Sequence, residues 1–344
     1  MVLVLTGLVP NLDGAKTGGM HLLFLPLHKT LINHIARYEL NEEAVSLLKT
    51  ALSALVDASQ VFPAIIKTDL HACVLHIFAT ILATGPCQAT VVPQSLPIFK
   101  RFVTSLSLHS RTGSESSTQL RATLSKFLAI LKHAQGREFD AALACEKNTI
   151  LATTILLSSA AGAFEPTDPL IKQFVDDLFD CLGSRMTSKV AAGCCRSLLL
   201  LPKKGPVETA IAALILPQVL SFLANPSDVE GLEESRTTLA LTAVQLISSL
   251  STPEQRVLAG KIIVPALLAR ASKEPTSVAE TAARLLELAG KDQDVFRAVV
   301  GGLSGEQRGF MERILKEGVG KRRERVERDE GDEPSIKLTM DFGS

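Results

Sequence analysis

Residues 252–316 read TPEQRVLAGKIIVPALLARASKEPTSVAETAARLLELAGKDQDVFRAVVGGLSGEQRGFMERILK, and this stretch decides the fold. Three times a hydroxyl residue is followed, three positions later, by Glu or Gln: Thr252-Pro253-Glu254-Gln255, Ser277-Val278-Ala279-Glu280 and Ser304-Gly305-Glu306-Gln307. In such a capping box the two side chains satisfy orphan amides at a helix start reciprocally. Each box therefore predicts the beginning of a helix.

Helical signals continue upstream. Asp168 with Pro169 predicts a capped start, Ile171, Phe174, Leu178 and Leu182 form an apolar stripe, and Gly183 is a stop. Asn41–Ala58 opens on a cap and two glutamates, followed by Val45, Leu48, Leu52 and Leu55 on one face. In Leu232–Leu250 the stripe is Leu239, Ala243, Leu246 and Leu250, with Thr238, Thr242, Gln245 and Ser249 expected outside. No run alternates as a strand would, and no Asn-Gly or Asp-Gly turn joins two β-branched segments. The chain is predicted to be all-α.

Short polar breaks, such as Lys203-Lys204-Gly205-Pro206 and Lys273-Glu274-Pro275, force successive helices into antiparallel neighbours. Prolines recur inside apolar runs at Pro26, Pro63, Pro97, Pro217 and Pro265, with spacings of 37, 34, 120 and 48 residues. A period of roughly 40 residues is that of HEAT or armadillo units. The expected architecture is a right-handed α-solenoid of HEAT/armadillo-like helix pairs over 1–318, followed by a charged, flexible tail over 319–344. An irregular helical domain is the competing reading.

Composition narrows the function. The 344 residues carry 36 Lys+Arg against 36 Asp+Glu, which excludes a globally basic nucleic-acid binder. Hydrophobic residues make up 46% but aromatics only 4%, so aliphatic side chains must fill the core. Six cysteines, none in a Cys-x-x-Cys pair, read as buried thiols of a reducing compartment. The apolar start lacks a basic n-region and is interrupted by Pro10, so no secretory leader is expected. Asn148–Phe164 and Thr209–Pro226 are uncharged but too polar and short for membrane spans, and read as buried helices. Met1–Val9 and His21–Ile35 are apolar nearly all round, so an exposed apolar patch is expected before residue 40.

No catalytic constellation emerges. His71 and His76 are five apart, off the four-residue spacing of two ligands on one helix face, and no His-Glu-x-x-His occurs. Asp13–Gly19 is glycine-rich but lacks the phosphate-loop spacing, and Ser158-Ser159 and Ser248-Ser249 lack the glycines of a nucleophile elbow. The reading is a non-enzyme without catalytic, cofactor or metal residues. Basic Lys321–Arg325 is followed by acidic Asp329–Glu333, whose fields largely cancel.

The stretch FRAVVGGLSGEQRGFMERILKEG from Phe296, with the closing IKLTMDF at Ile336–Phe342, resembles the C-terminal end of the Laa-type large HEAT-repeat proteins, accessory factors of clathrin adaptors, in a fungal version. The resemblance implies a non-enzymatic scaffold in vesicle-mediated transport between Golgi and endosomes. The implied partners are clathrin adaptor subunits, and the implied place is the cytoplasm, peripheral to those membranes. Such proteins are much longer, which leaves two readings of this chain, a separated fragment of a longer solenoid or an early-terminated gene model. A nuclear-transport or chromatin-associated HEAT scaffold is the alternative. In the tail, Ile336, Leu338, Met340 and Phe342 alternate with polar residues, the pattern of an extended segment with one apolar edge. These four are the candidate partner-binding residues, against the alternative that the strip folds back on its own solenoid.

Overall fold

The computed structural model describes residues 29–33, 35, 42–61, 64–107, 114–137, 139–202, 205–225 and 229–316. Among them there is no strand. The described residues divide into two compact units. One runs to Val219 and includes Ser227–Leu239; the other takes Leu220–Pro226 and the chain from Ala240 onward.

The first unit contains α1 (Glu42–Val61), α2 (Ala64–Ala83), α3 (Val91–Ser107), α4 (Glu115–Ala134), α5 (Asp140–Ala160), α6 (Pro169–Gly183) and α7 (Ser188–Leu199). Helix α1 packs on α3, α3 on α5 and α5 on α7, while α2 packs on α4 and α4 on α6. Helices two apart in sequence are thus neighbours within a layer. Sequential pairs such as α1 with α2, α4 with α5 and α6 with α7 meet across layers. This is solenoid packing, in which each helix pair buries its apolar face only by stacking on the next.

The predicted punctuation of α6 is present. The Asp168 carboxylate accepts the Leu170 amide at 3.0 Å, and Pro169 occupies the first turn. Its buried stripe is Ile171, Phe174, Val175, Leu178, Cys181 and Leu182. Three phenylalanines lock α2, α3 and α4 together: Phe78 and Phe99 stack at 4.0 Å, and Phe127 sits within 6.0 Å of both. Each such pair adds ~0.5–1.5 kcal/mol beyond area burial. Leu31 and Ile35 are buried, while most of the N-terminal stretch expected to be an apolar patch lies outside the described residues.

Helix α8 (Pro206–Ala224) is long and apolar enough to cross a membrane by length and composition. Most of it, Thr209–Pro226, was expected to be a buried helix. Instead one stripe, Val207, Ile211, Ile215, Val219 and Leu223, is buried, whereas Ala213 and Pro217 are exposed and Leu214 and Leu220 half-exposed. In α9 (Glu233–Ser249) a second expectation fails: Thr242 is fully buried rather than outward. The apolar face of α9 is wider than its leucine stripe, because Ala240, Val244 and Ile247 are buried as well.

The second unit holds α10 (Pro253–Lys273), α11 (Val278–Lys291), α12 (Gln293–Gly301) and a final helix α13 over 305–316. Helix α10 packs on α11 and α12, which also pack on each other. Of the three capping boxes, the last is complete: the Ser304 hydroxyl accepts the Gln307 amide at 3.2 Å, and Gln307 Oε1 accepts the Ser304 amide at 3.1 Å. At Thr252 the hydroxyl accepts the Gln255 amide. The middle box does not form. Ser277 closes a 3-10 turn and donates to the Glu274 carbonyl, while Glu280 turns to the buried Arg270 guanidinium at 3.2 Å. A buried charge without a partner costs more than a lost cap, so Arg270 takes both Glu274 and Glu280.

Candidate functional site

The four tail residues chosen from sequence, Ile336, Leu338, Met340 and Phe342, lie outside the described residues, as do Lys321–Arg325, Asp329–Glu333 and the glycine-rich 13–19. The other candidates can be placed. His71 lies edge-on to Phe102 at 5.7 Å. Partial burial and the nearby Lys126 charge lower the pKa of His76. Ser158 donates to the Ile155 carbonyl and Ser249 to the Leu246 carbonyl, as ordinary helical serines do. Among the described residues no group of three or more His, Cys, Asp or Glu could hold a metal ion.

The polar groups that do converge in the first unit tie helices to turns. Asn148 Nδ2 of α5 donates to the Gln88 carbonyl at 2.9 Å and to Gln88 Oε1 at 3.0 Å, and Gln88 Nε2 donates to the Leu82 carbonyl. The Cys181 thiol donates to Glu146 Oε1 at 3.0 Å. Burial, the hydrogen bond to Glu146 and its charge together raise the Cys181 pKa far above the ordinary range, so the group stays a thiol. Cys87, Cys194 and Cys195 are likewise raised, chiefly by burial. These cysteines are packing elements rather than nucleophiles.

The surface that stands out is one edge of the helix stack. Because α2, α4 and α6 share a layer, the turns that follow them lie side by side on the same rim. Gln135 Nε2 donates to Cys181 Sγ at 3.6 Å, tying the turn after α4 to the end of α6. In the turn before α9, Gly231 adopts φ +87°, and a β-carbon there would meet the Arg185 side chain at 3.3 Å. The turn after α8 therefore joins the row, and Lys189 pairs with Glu234 at 2.8 Å beside it. Each of these last three turns presents a large apolar side chain to solvent: Phe139 at 57%, Met186 at 58% and Val229 at 43% exposure.

Between the turns after α2 and α4 the rim opens into a groove of about 520 Å³. Ala83, Ile130, Ala134 and Ala142 line it with apolar surface, and Phe139 stands at its mouth. The ionisable groups lining it are His133, Arg137 and Cys145. Arg137 Nη2 lies 3.3 Å from His133 Nδ1, and the Cys145 thiol donates to the Leu82 carbonyl at 3.5 Å. Burial first, and the Glu146 charge, raise the Cys145 pKa against a hydrogen bond shared with Thr149, so this thiol is neutral.

Sequence reasoning passed over this rim, yet one signal was present. Phe139 occupies the N-cap of α5, where a residue with a short polar side chain is preferred, and no side chain caps that helix start. Gly136, in the same turn, takes φ +74°, a conformation that favours glycine. For Met186 and Val229 no local signal exists.

Layered antiparallel helix pairs and a rim of exposed apolar turns define the class: an α-helical repeat protein built as a solenoid scaffold. Residues 167–328 match the family model described as LAA1-like, C-terminal TPR repeats. The likeness read from Phe296–Lys316 thus extends back to the start of α6, across the C-terminal part of LAA1-type proteins. The family description names the repeats TPR, where the proline period suggested HEAT or armadillo; all are stacked helix pairs. The closing Ile336–Phe342 falls outside the matched residues. Comparison with curated proteins and with solved structures returns no significant match.

Proposed function

We propose that this chain is a non-enzymatic helical-repeat scaffold in vesicle-mediated protein transport between Golgi and endosomes, accessory to a clathrin adaptor. The observation that carries this reading is the match of residues 167–328 to LAA1-like C-terminal repeats. Stacked helix pairs support it, since such stacks offer long edges and faces for other proteins and need no reacting group. In this reading the protein acts in the cytoplasm, peripheral to Golgi or endosomal membranes, with adaptor subunits as partners.

Affinity capture from lysate tests it. Recovery of clathrin adaptor subunits is expected; recovery of karyopherin cargo or chromatin proteins in their place overturns it in favour of a nuclear scaffold. Within the same proposal, the tail residues Ile336, Leu338, Met340 and Phe342 form an extended docking segment. Four apolar side chains at ~1.5–3 kcal/mol each, before ordering costs, suffice for a short binding motif. Changing Leu338 and Phe342 to Ser is expected to weaken partner capture and leave the melting temperature unchanged. A clear fall in melting temperature with capture intact would make the tail a structural clasp.

A further inference from the structure

We propose that the tail of this chain docks on its own α10: the apolar edge of Ile336, Leu338, Met340 and Phe342 lies on the exposed strip around Leu258 and Ile262, and a partner must displace it. The inference rests on the reading of the tail as a docking segment and adds a self-inhibitory contact to it. Leu258 is 64% and Ile262 50% exposed, one helical turn apart on α10. Among the described residues of the second unit, these are the large apolar side chains left exposed. Half-buried Pro265, Ala266 and Ala269 continue the strip along the helix. Helix α10 packs on α11 and α12 through its other side, where Ile263, Val264, Leu267 and Leu268 are buried.

The tail is the occupant because of where it starts. Gly302, in the turn between α12 and α13, lies so close to Lys261 that a β-carbon there would come 3.1 Å from Lys261 Cε. Lys261 is exposed between Leu258 and Ile262. The beginning of α13 is therefore beside the strip, and Lys316 stands one length of α13, ~18 Å, farther on. From there to Ile336 is about twenty residues, a coil with an r.m.s. span of ~25 Å. Its length matches the distance to be covered. A tether matched to its span holds a segment at an effective concentration in the millimolar range, on the order of mM. A second copy or a foreign peptide at micromolar concentration therefore starts about a thousandfold behind.

The spacing fits as well. Alternate residues of an extended chain lie ~6.6 Å apart along one edge, and residues one turn apart on a helix ~6 Å. Neighbouring apolar side chains of the tail therefore meet Leu258 and Ile262 in turn, with Lys337, Thr339 and Asp341 on the opposite edge. Two surface side chains bury little area, so the contact is reversible, adds little to melting and yields to a tighter partner.

The full chain, with photoreactive p-benzoylphenylalanine in place of Met340, tests the contact. It is irradiated at low micromolar concentration, and cross-links are mapped by mass spectrometry of tryptic peptides. Cross-linking within one chain to the stretch 257–270 is expected. The double change Leu258→Ser, Ile262→Ser should lower that yield by about fivefold or more, as loss of the anchoring contacts implies. Both positions are exposed, so the variant keeps its fold. Met186→Ser, exposed on the first unit, is expected to leave the yield unchanged. In affinity capture the double variant should recover several times more adaptor subunits than the parent, because its tail is released. Cross-links confined to other parts of the chain, cross-links only between copies, no cross-link, or a yield indifferent to the double change would overturn the contact. Recovery of adaptor subunits in equal amount from parent and variant would overturn the self-inhibition. A cross-link on α10 with no adaptor subunits captured from either would count against the transport reading alone.

Discussion

Gly260 of α10 lies so close to Val299 of α12 that a β-carbon at position 260 would come 2.5 Å from Val299 Cγ2. Both residues are buried, Val299 completely. The glycine is required by the close approach of two helices rather than by its own backbone angles, and it sets how tightly the second unit packs.

Gly260→Ala is accordingly expected to destabilise the second unit by ~1–3 kcal/mol through overpacking, although alanine is the better helix former. Adding Val299→Ala should recover part of the loss, since the methyl that clashes is removed. Urea unfolding of the two single variants and the double variant measures this. Simple additivity of the two losses would mean that the helices do not meet as described.

Two adjacent isoleucines on α10 make a sharper contrast. Ile262 is 50% exposed and Ile263 fully buried. Ile263→Ala is expected to cost ~2–5 kcal/mol, and Ile262→Ala to stay within ~0.5 kcal/mol of the parent. Equal losses in denaturant unfolding would place the wrong face of α10 against the core.

The thiols link stability to alkaline pH. Burial pushes Cys87 and Cys194 from 9.0 up to about 11, because the thiolate is disfavoured in an apolar setting. Above pH 9 the unfolded chain releases these protons while the folded chain keeps them, so the folded state binds more protons. Stability is therefore complete below pH 9 and falls as pH rises toward 11. Urea midpoints at pH 8, 9 and 10 should decline, and less so in a Cys87→Ala, Cys194→Ala variant. At pH 8 a bulky thiol reagent should spare Cys87, Cys181, Cys194 and Cys195 and react first at half-buried Cys73 and Cys145.

Asp168 serves two partners, the Leu170 amide and the Arg121 guanidinium at 2.7 Å. The carboxylate is buried, whereas the arginine side chain is 55% exposed. Asp168→Ala removes a cap and is expected to cost ~1–2 kcal/mol. Arg121→Ala should cost less, because it leaves Asp168 its bond to the Leu170 amide, whereas Asp168→Ala removes the cap and the pair together. Thermal unfolding of both variants ranks them; the reverse order would make the ion pair, and not the cap, the fastening of α6.

Reading residues alone succeeded where the signal is local. Asp168-Pro169 marked a helix start because the cap needs only its own first turn. Ser304 and Gln307 formed their box for the same reason. It failed at Ser277, where a competitor ten residues before Glu280 in sequence, Arg270, claimed the carboxylate. It failed at Thr242 as well, because the buried face of α9, widened by Ala240, Val244 and Ile247, takes in position 242.

By itself, then, the sequence determined the helices, the caps at Asp168, Thr252 and Ser304, and the succession of elements, since hydrogen bonding to the next turn and apolar periodicity are properties of neighbouring residues. The tertiary structure alone decided which helices stack two apart, why position 260 must be glycine, and that Phe139, Met186 and Val229 share one rim. Those facts depend on distances between residues some 40 positions apart in the chain. Such distances are set by the packing of whole helices against one another, which no local pattern encodes.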